Sequence, residues 1–199
     1  IKINTPVGRI LILSEKSGNY SMDNVFIAVD MGGDDIYSGE MGANGLLNPV
    51  SVVIDVKGND HYKANDTLSN SQGAGVLGTG ILLDIEGNDE YRGGKISQGA
   101  GILGVGILHD VSGDDKYRGV TQTQGFGAMG IGLLIDREGR DEYYAFGNCQ
   151  GNGEAGGIGC IIDWKGDDSY KAEPHSSVYN RADYHSDYKI NANNAQGFG

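Results

Sequence analysis

Twelve aspartates at fixed spacing carry the chemistry that this sequence offers. The first column is Asp30, Asp55, Asp84, Asp110, Asp136 and Asp163; the second, five residues on in each case, is Asp35, Asp60, Asp89, Asp115, Asp141 and Asp168. Carboxylates in such number are ligands for hard cations. Calcium suits them best, because it takes several oxygen donors in flexible geometry, including the backbone carbonyls that glycine turns expose. An aspartate beside a glycine turn has a second use: it accepts N–H bonds from the turn and needs no metal. The second column, often preceded by Asn or Asp, is therefore the candidate calcium column, and the first is a turn cap or a second column of ligands.

Both columns belong to one repeated phrase, Asp-x-x-Gly-x-Asp-x-Tyr, which begins at each first-column aspartate with steps of 25, 29, 26, 26 and 27 residues. A period in this range is the mark of stacked repeats. Each unit opens with a short apolar run ending in Asp, such as Ile81-Leu82-Leu83-Asp84 or Leu133-Leu134-Ile135-Asp136, which reads as a strand. The turn and Asp-x-Tyr follow, and then Gln-Gly-x-Gly-x-x-Gly-x-Gly leads back to the next run. A unit of about 26 residues is too short for a βαβ crossover and has no helical periodicity. The expected fold is all-β, a parallel β-solenoid of about 26 residues per coil, right-handed, with equivalent residues about 4.8 Å apart in neighbouring coils.

In such a stack two ionised carboxylates repel by roughly 1 kcal/mol at water's dielectric and roughly 3 to 4 kcal/mol at an effective value near 20, so something must offset the ladder. Alternation places the apolar residue two before the first Asp (Val53, Leu82, Leu108, Leu134, Ile161) on the same side as that Asp, facing inward. Tyr37, Tyr62, Tyr91, Tyr117, Tyr143 and Tyr170 form an aromatic ladder, which is packing unless it faces solvent. Gln72, Gln98, Gln124 and Gln150 are expected to form an amide ladder along the stack. The glycines after each Gln match the dinucleotide fingerprint literally, but each copy runs into a strand rather than a helix, so they read as corner glycines.

The turns Gly58-Asn59-Asp60, Gly87-Asn88-Asp89, Gly113-Asp114-Asp115, Gly139-Arg140-Asp141 and Gly166-Asp167-Asp168 resemble those of the RTX-type calcium-binding β-roll repeats. In that family such aspartates and turn carbonyls hold calcium between successive turns, so the resemblance implies the same ion here. It covers the turn alone: the family's unit is nine residues, and this one is about 26. The whole repeat is similar to uncharacterised repeat proteins of exported bacterial type, a likeness that implies no activity.

Composition narrows the partners. Fifteen Lys and Arg against 27 Asp and Glu give a formal charge of -12, which favours divalent cations and disfavours nucleic acid and anionic membrane surfaces. No run approaches the roughly 18 apolar residues that span a bilayer, so no membrane insertion is expected. The sequence divides into a degenerate capping coil over 1–24, six repeats over 25–170, an inserted loop over 171–195 and the start of a further repeat over 196–199. In the insertion His175, Asp183, His185 and Asp187 are a possible ligand or acid-base cluster, while His61 and His109 fall at variable surface positions. Cys149 and Cys160 are expected to be structural or free thiols.

The functional expectation is a non-catalytic scaffold, calcium-stabilised, acting in the extracellular space or at a cell surface, although no signal peptide stands in this chain. One alternative is a glycan-binding or glycan-cleaving β-helix using the insertion and solvent-facing tyrosines. Another is a subunit of a filament or surface layer built from identical subunits.

Overall fold

The computed structural model describes residues 1–45 and 48–172, and within them every regular element is a strand. The chain winds as a parallel β-solenoid with the predicted spacing. No helix of the described residues is long and apolar enough to cross a membrane.

The coils build two main sheets, and four of them add a strand to a narrow third. The long sheet holds the six-residue runs Val25–Asp30, Val50–Asp55, Thr79–Asp84, Val105–Asp110, Ile131–Asp136 and Ile158–Asp163. Gly8–Ile12 pairs parallel with the first of these, and Lys2–Thr5 turns back antiparallel to cover that edge. The tyrosine sheet is built from short strands such as His61–Lys63, Glu90–Arg92 and Lys116–Arg118. A narrow third sheet pairs Gly75–Val76, Gly101–Ile102, Gly127–Ala128 and Gly153–Glu154. Registers are exact repeats: Leu82 pairs with Leu108 and Leu108 with Leu134, while Tyr62 pairs with Tyr91 and Tyr91 with Tyr117.

Alternation along each long strand sorts the side chains. Gly80, Leu82 and Asp84 face inward and are buried, and their equivalents Gly106, Leu108, Asp110 and Gly132, Leu134, Asp136 stack on them. The core is narrow: one column of Leu or Val, the tyrosine column, and the acids between them. On the other side the coil closes backbone to backbone. A Cβ on Gly101 would overlap the carbonyl oxygen of Ile131, and one on Gly106 that of Ala100, which is why glycine recurs there.

The corner before that sheet is made by a Gln and a Gly both in the left-handed region, as at Gln98 (φ 53°) and Gly99 (φ 75°). The Gln column is not bonded amide to amide. Gln98 Nε2 donates to the backbone carbonyls of Tyr91 in its own coil and Arg118 in the next, and Gln124 does the same to Tyr117 and Tyr144. The amide thus ties the corner to two tyrosine strands at once.

The glycine of the Asp-x-x-Gly turn is needed for a different reason. Gly113 lies directly against the carbonyl oxygen of Gly87 one coil below, so a Cβ there would overlap backbone that cannot rotate away. Gly113→Ala is expected to lose about 1–3 kcal/mol in chemical denaturation. Gly156→Ala, at a position with open space but φ 76°, should lose only about 1 kcal/mol from strain. Equal losses would mean that the turn has room.

Candidate functional site

The first aspartate column sits where each long strand ends, facing inward by the same alternation that buries the leucines. Seven residues on, the tyrosine of the next strand also faces inward, and the two meet. Tyr62 Oη donates to Asp84 of the following coil at 2.5 Å and lies 3.2 Å from Asp55 of its own. Tyr91 repeats this with Asp110 at 2.7 Å and Asp84 at 3.2 Å, and Tyr117 bonds Asp136 at 2.7 Å. The rings stack with centroids 4.5–5.0 Å apart from Tyr37 to Tyr170. From Tyr37 to Tyr117 each phenol therefore reaches the coil after its own, while Tyr143 and Tyr170 bond Asp136 and Asp163 of their own coils.

A phenol has one proton to donate. Tyr37 Oη stands 2.7 Å from Asp30 and 2.5 Å from Asp55, so one of its two short contacts requires the carboxyl to carry the hydrogen. Asp30 and Asp55 also close their turns, accepting the amides of Gly32 (3.1 Å) and Lys57 (3.3 Å). The turn-cap reading stops there. Oδ1 of Asp84, Asp110 and Asp136 is buried and has no hydrogen-bond partner.

The second column uses its carboxylates differently. The backbone N–H of Asp60 donates to Asp89 Oδ1 at 2.6 Å, that of Asp89 to Asp115 at 2.6 Å, and that of Asp115 to Asp141 at 2.7 Å. Each acid thus caps its counterpart in the coil before. Outside them the preceding residues form a parallel, exposed ladder: Asn88 N–H to Asn59, Asp114 N–H to Asn88, and Arg140 N–H to Asp114. Arg140 also pairs with the Asp114 carboxylate at 3.0 Å, so this departure from the acidic pattern is accommodated on the outer ladder. The inner acids keep one free oxygen. Oδ2 of Asp60, Asp89, Asp115 and Asp141 is buried without a partner.

The acids of the two columns converge. Asp60, Asp84 and Asp89 form one triad, Asp89, Asp110 and Asp115 the next, then Asp115, Asp136 and Asp141, and then Asp141, Asp163 and Asp168; within each, one oxygen per residue lies within 4.8 Å of the others. Calcium holds oxygens at about 2.3–2.6 Å, so donors this close can share one ion. The stack supplies two carboxylates per coil, the charge that one divalent cation per coil would cancel. Asp35 lies nearest the edge of this system, taking the Gly18 amide at 2.5 Å.

No protein-family model, curated protein or solved structure matches this chain. The site has to be read from its own geometry. Nine of the twelve aspartates of the two columns lie in the triads, interleaved rather than separate, while Asp30, Asp35 and Asp55 belong to none of them. The signal for the triads lies in the five-residue step from Asp to Asp combined with the period, which sets Asp84 beside both Asp60 and Asp89. Sequence reasoning missed the phenol bridges between coils. It also treated His109 as a simple surface residue: the ring is half-buried on the outer side of the long sheet, and its Nε2 has no partner. His61 pairs with Glu90 at 3.2 Å on the outside. His175, Asp183, His185 and Asp187 lie outside the described residues.

Burial without a cation pushes the acids up. Desolvation is the main cause throughout, with neighbouring carboxylates adding to it: Asp55 rises to about 7, Asp60 to about 9, Asp89 to about 10, Asp115 and Asp141 to about 8, and Asp136 to about 6. Asp84 and Asp110 are raised by the same burial. Tyr62, Tyr91 and Tyr117 are raised too, by burial and then by the acids beside them, so they remain donors.

The sign of the linkage follows. The folded state holds protons that the unfolded chain gives up near pH 4, so the stability these groups contribute is complete below that pH and is lost as pH rises from about 4 to about 10, each group's share being gone once its folded value, between about 6 and about 10, is passed. In chelator the melting temperature should fall steadily across that window. A flat or rising curve would show that the aspartates are ionised at no cost to the fold.

Proposed function

We propose that this chain is a non-catalytic, rigid scaffold for binding or spacing, acting outside the cell or at its surface, whose inner aspartate columns take calcium ions between successive coils. One observation carries the calcium reading: Asp60, Asp84, Asp89, Asp110, Asp115, Asp136 and Asp141, at most 2% exposed, each keep a buried carboxylate oxygen without a hydrogen-bond partner, and these residues meet in triads. Buried acids in that arrangement hold either protons or a cation. Calcium fits better than magnesium, because it accepts several carboxylate oxygens in flexible geometry, whereas magnesium keeps several waters and takes one or two carboxylates.

The scaffold reading rests on what the tyrosines do. Tyr37, Tyr62, Tyr91, Tyr117 and Tyr143 are at most 1% exposed, so their faces serve coil-to-coil stacking and are closed to a sugar ring. Tyr170, at 37%, is more open than these five, so stacking on a sugar is supported less by the ladder than coil-to-coil packing is. An ion bound between coils would stiffen the rod, because it joins a carboxylate of one coil to two of the next.

Thermal unfolding at neutral pH in chelator, in millimolar calcium and in millimolar magnesium tests the proposal. A rise in melting temperature specific to calcium is expected, since an ion that binds only the folded state stabilises it by mass action. Asp110→Asn separates the ion from general folding effects. It removes a buried acid from one triad, so it should raise the melting temperature in chelator while reducing the gain from calcium and the number of ions bound at equilibrium dialysis. An unchanged melt with no bound ion would sink the calcium reading and leave the columns as proton-holding caps.

A further inference from the structure

The outer face of the long sheet carries a surface that neither the aspartates nor the tyrosines explain. Alternation puts Val50, Val52 and Ile54 outward, then Thr79, Ile81 and Leu83, Val105, Ile107 and His109, Ile131, Leu133 and Ile135, and Ile158, Cys160 and Ile162. Register stacks them in unbroken rows: Ile10, Ile27, Val52, Ile81, Ile107 and Leu133 make one, and Ile12, Val29, Ile54 and Leu83 begin another. His109 is the only titratable group within the rows from Val50 to Ile135, and burial lowers its pKa. Ile12, Ile131 and Ile158 are 42%, 38% and 60% exposed, and the other outward residues are half-buried.

A sheet that is apolar on both faces is normally buried on both. Seven parallel strands at about 4.8 Å, each about six residues long at about 3.3 Å, give a flat patch of about 600 Å². That exceeds what scattered surface residues produce. The corner beside it points the same way. Leu77, Leu103 and Met129 sit in the left-handed region (φ 55°, 50° and 45°), where a side chain is strained, and are 50–71% exposed. Large apolar side chains at strained, exposed positions mark contact with something outside the chain.

We infer that this face binds a second copy of the chain, long sheet against long sheet. Two such patches would bury about 1,200 Å², within the range of specific protein interfaces. The rows repeat at strand spacing, so a partner must carry the same corrugation to interlock along the whole face, and a second copy does so about a two-fold axis. The sheets would lie about 10 Å apart with strands near-aligned. The charge agrees. The face holds no acid, while the exposed acids Asp114, Glu138 and Asp167 sit on turns beyond it, so pairing leaves the net charge of each copy facing away. The same charge disfavours an anionic membrane as the occupant.

Analytical ultracentrifugation and solution scattering of the wild-type chain, Ile81→Lys and Ile107→Lys, each in calcium and in chelator, test the inference. The wild type should be a dimer at micromolar concentration, thicker than the monomer rather than twice as long. Each lysine, placed on a half-exposed outward position, should weaken association by about 100-fold while circular dichroism of the coil is unchanged. A monomeric wild type, including one whose face takes up an apolar dye, would overturn the inference, because the occupant would then be something else. So would a dimer that survives both lysines, or one of doubled length, which would be joined end to end. Calcium response and association are read separately, so either can fail without the other.

Discussion

Equal strand spacing governs this molecule. Once coils stack in register, each residue type must tolerate its own copy one strand away, and most types tolerate it easily. Tyrosines stack with ring planes within 3–4° of parallel through the middle coils, leucines pack, and glycines admit the carbonyl of the coil below. Aspartate is the exception, and two columns of it run through the interior. The fold answers with donors on both sides of the acids: phenols from one direction and backbone amides from the other. From Asp60 to Asp141 those donors satisfy one oxygen of each column carboxylate and leave the second, so the fold is complete in shape before it is complete in charge.

The repeat, the strands and the inward direction of the first aspartate are legible in the sequence because each depends only on local period. Asp84 ends an apolar run and precedes a glycine, and those two facts fix its side of the sheet. Contacts between coils are harder to read. That Tyr91 prefers Asp110 of the next coil over Asp84 of its own depends on the offset between two sheets, which no spacing encodes. The same offset decides that Gln98 reaches two backbone carbonyls rather than another glutamine. The triads lie between these cases: their members are named by the period, but their convergence needs both columns on one side of the chain.

The outward rows were legible in principle and easily overlooked. Ile81-Leu82-Leu83 is a continuous apolar run rather than an alternating one, and only the middle residue is used inside. A half-buried strand would have placed polar residues at 81 and 83. The run therefore states a two-sided demand for burial, and the solenoid meets only one side of it. His109 marks where the demand relaxes, a half-buried imidazole in an otherwise aliphatic row.

The usual distribution of polarity is thus partly inverted: acids and phenols inside, aliphatic rows outside. A core of this kind gains less from hydrophobic burial than a leucine core of the same size, because much of its inner surface is polar and must be matched bond for bond. Its stability is then a property of neighbouring pairs of coils, since the phenols from Tyr37 to Tyr117 and the amides and carboxylates of the second column find partners one coil away. In such a chain, neutralising one carboxylate acts on both adjacent interfaces: Asp89 belongs to two triads, as do Asp115 and Asp141. Neutralisation by protons and by a divalent ion are therefore competing ways of meeting the same demand, and they differ in what they leave behind. A proton satisfies one oxygen of one residue, whereas a cation draws three residues of two coils to a point, so only the cation converts the charge problem into a cross-link along the rod.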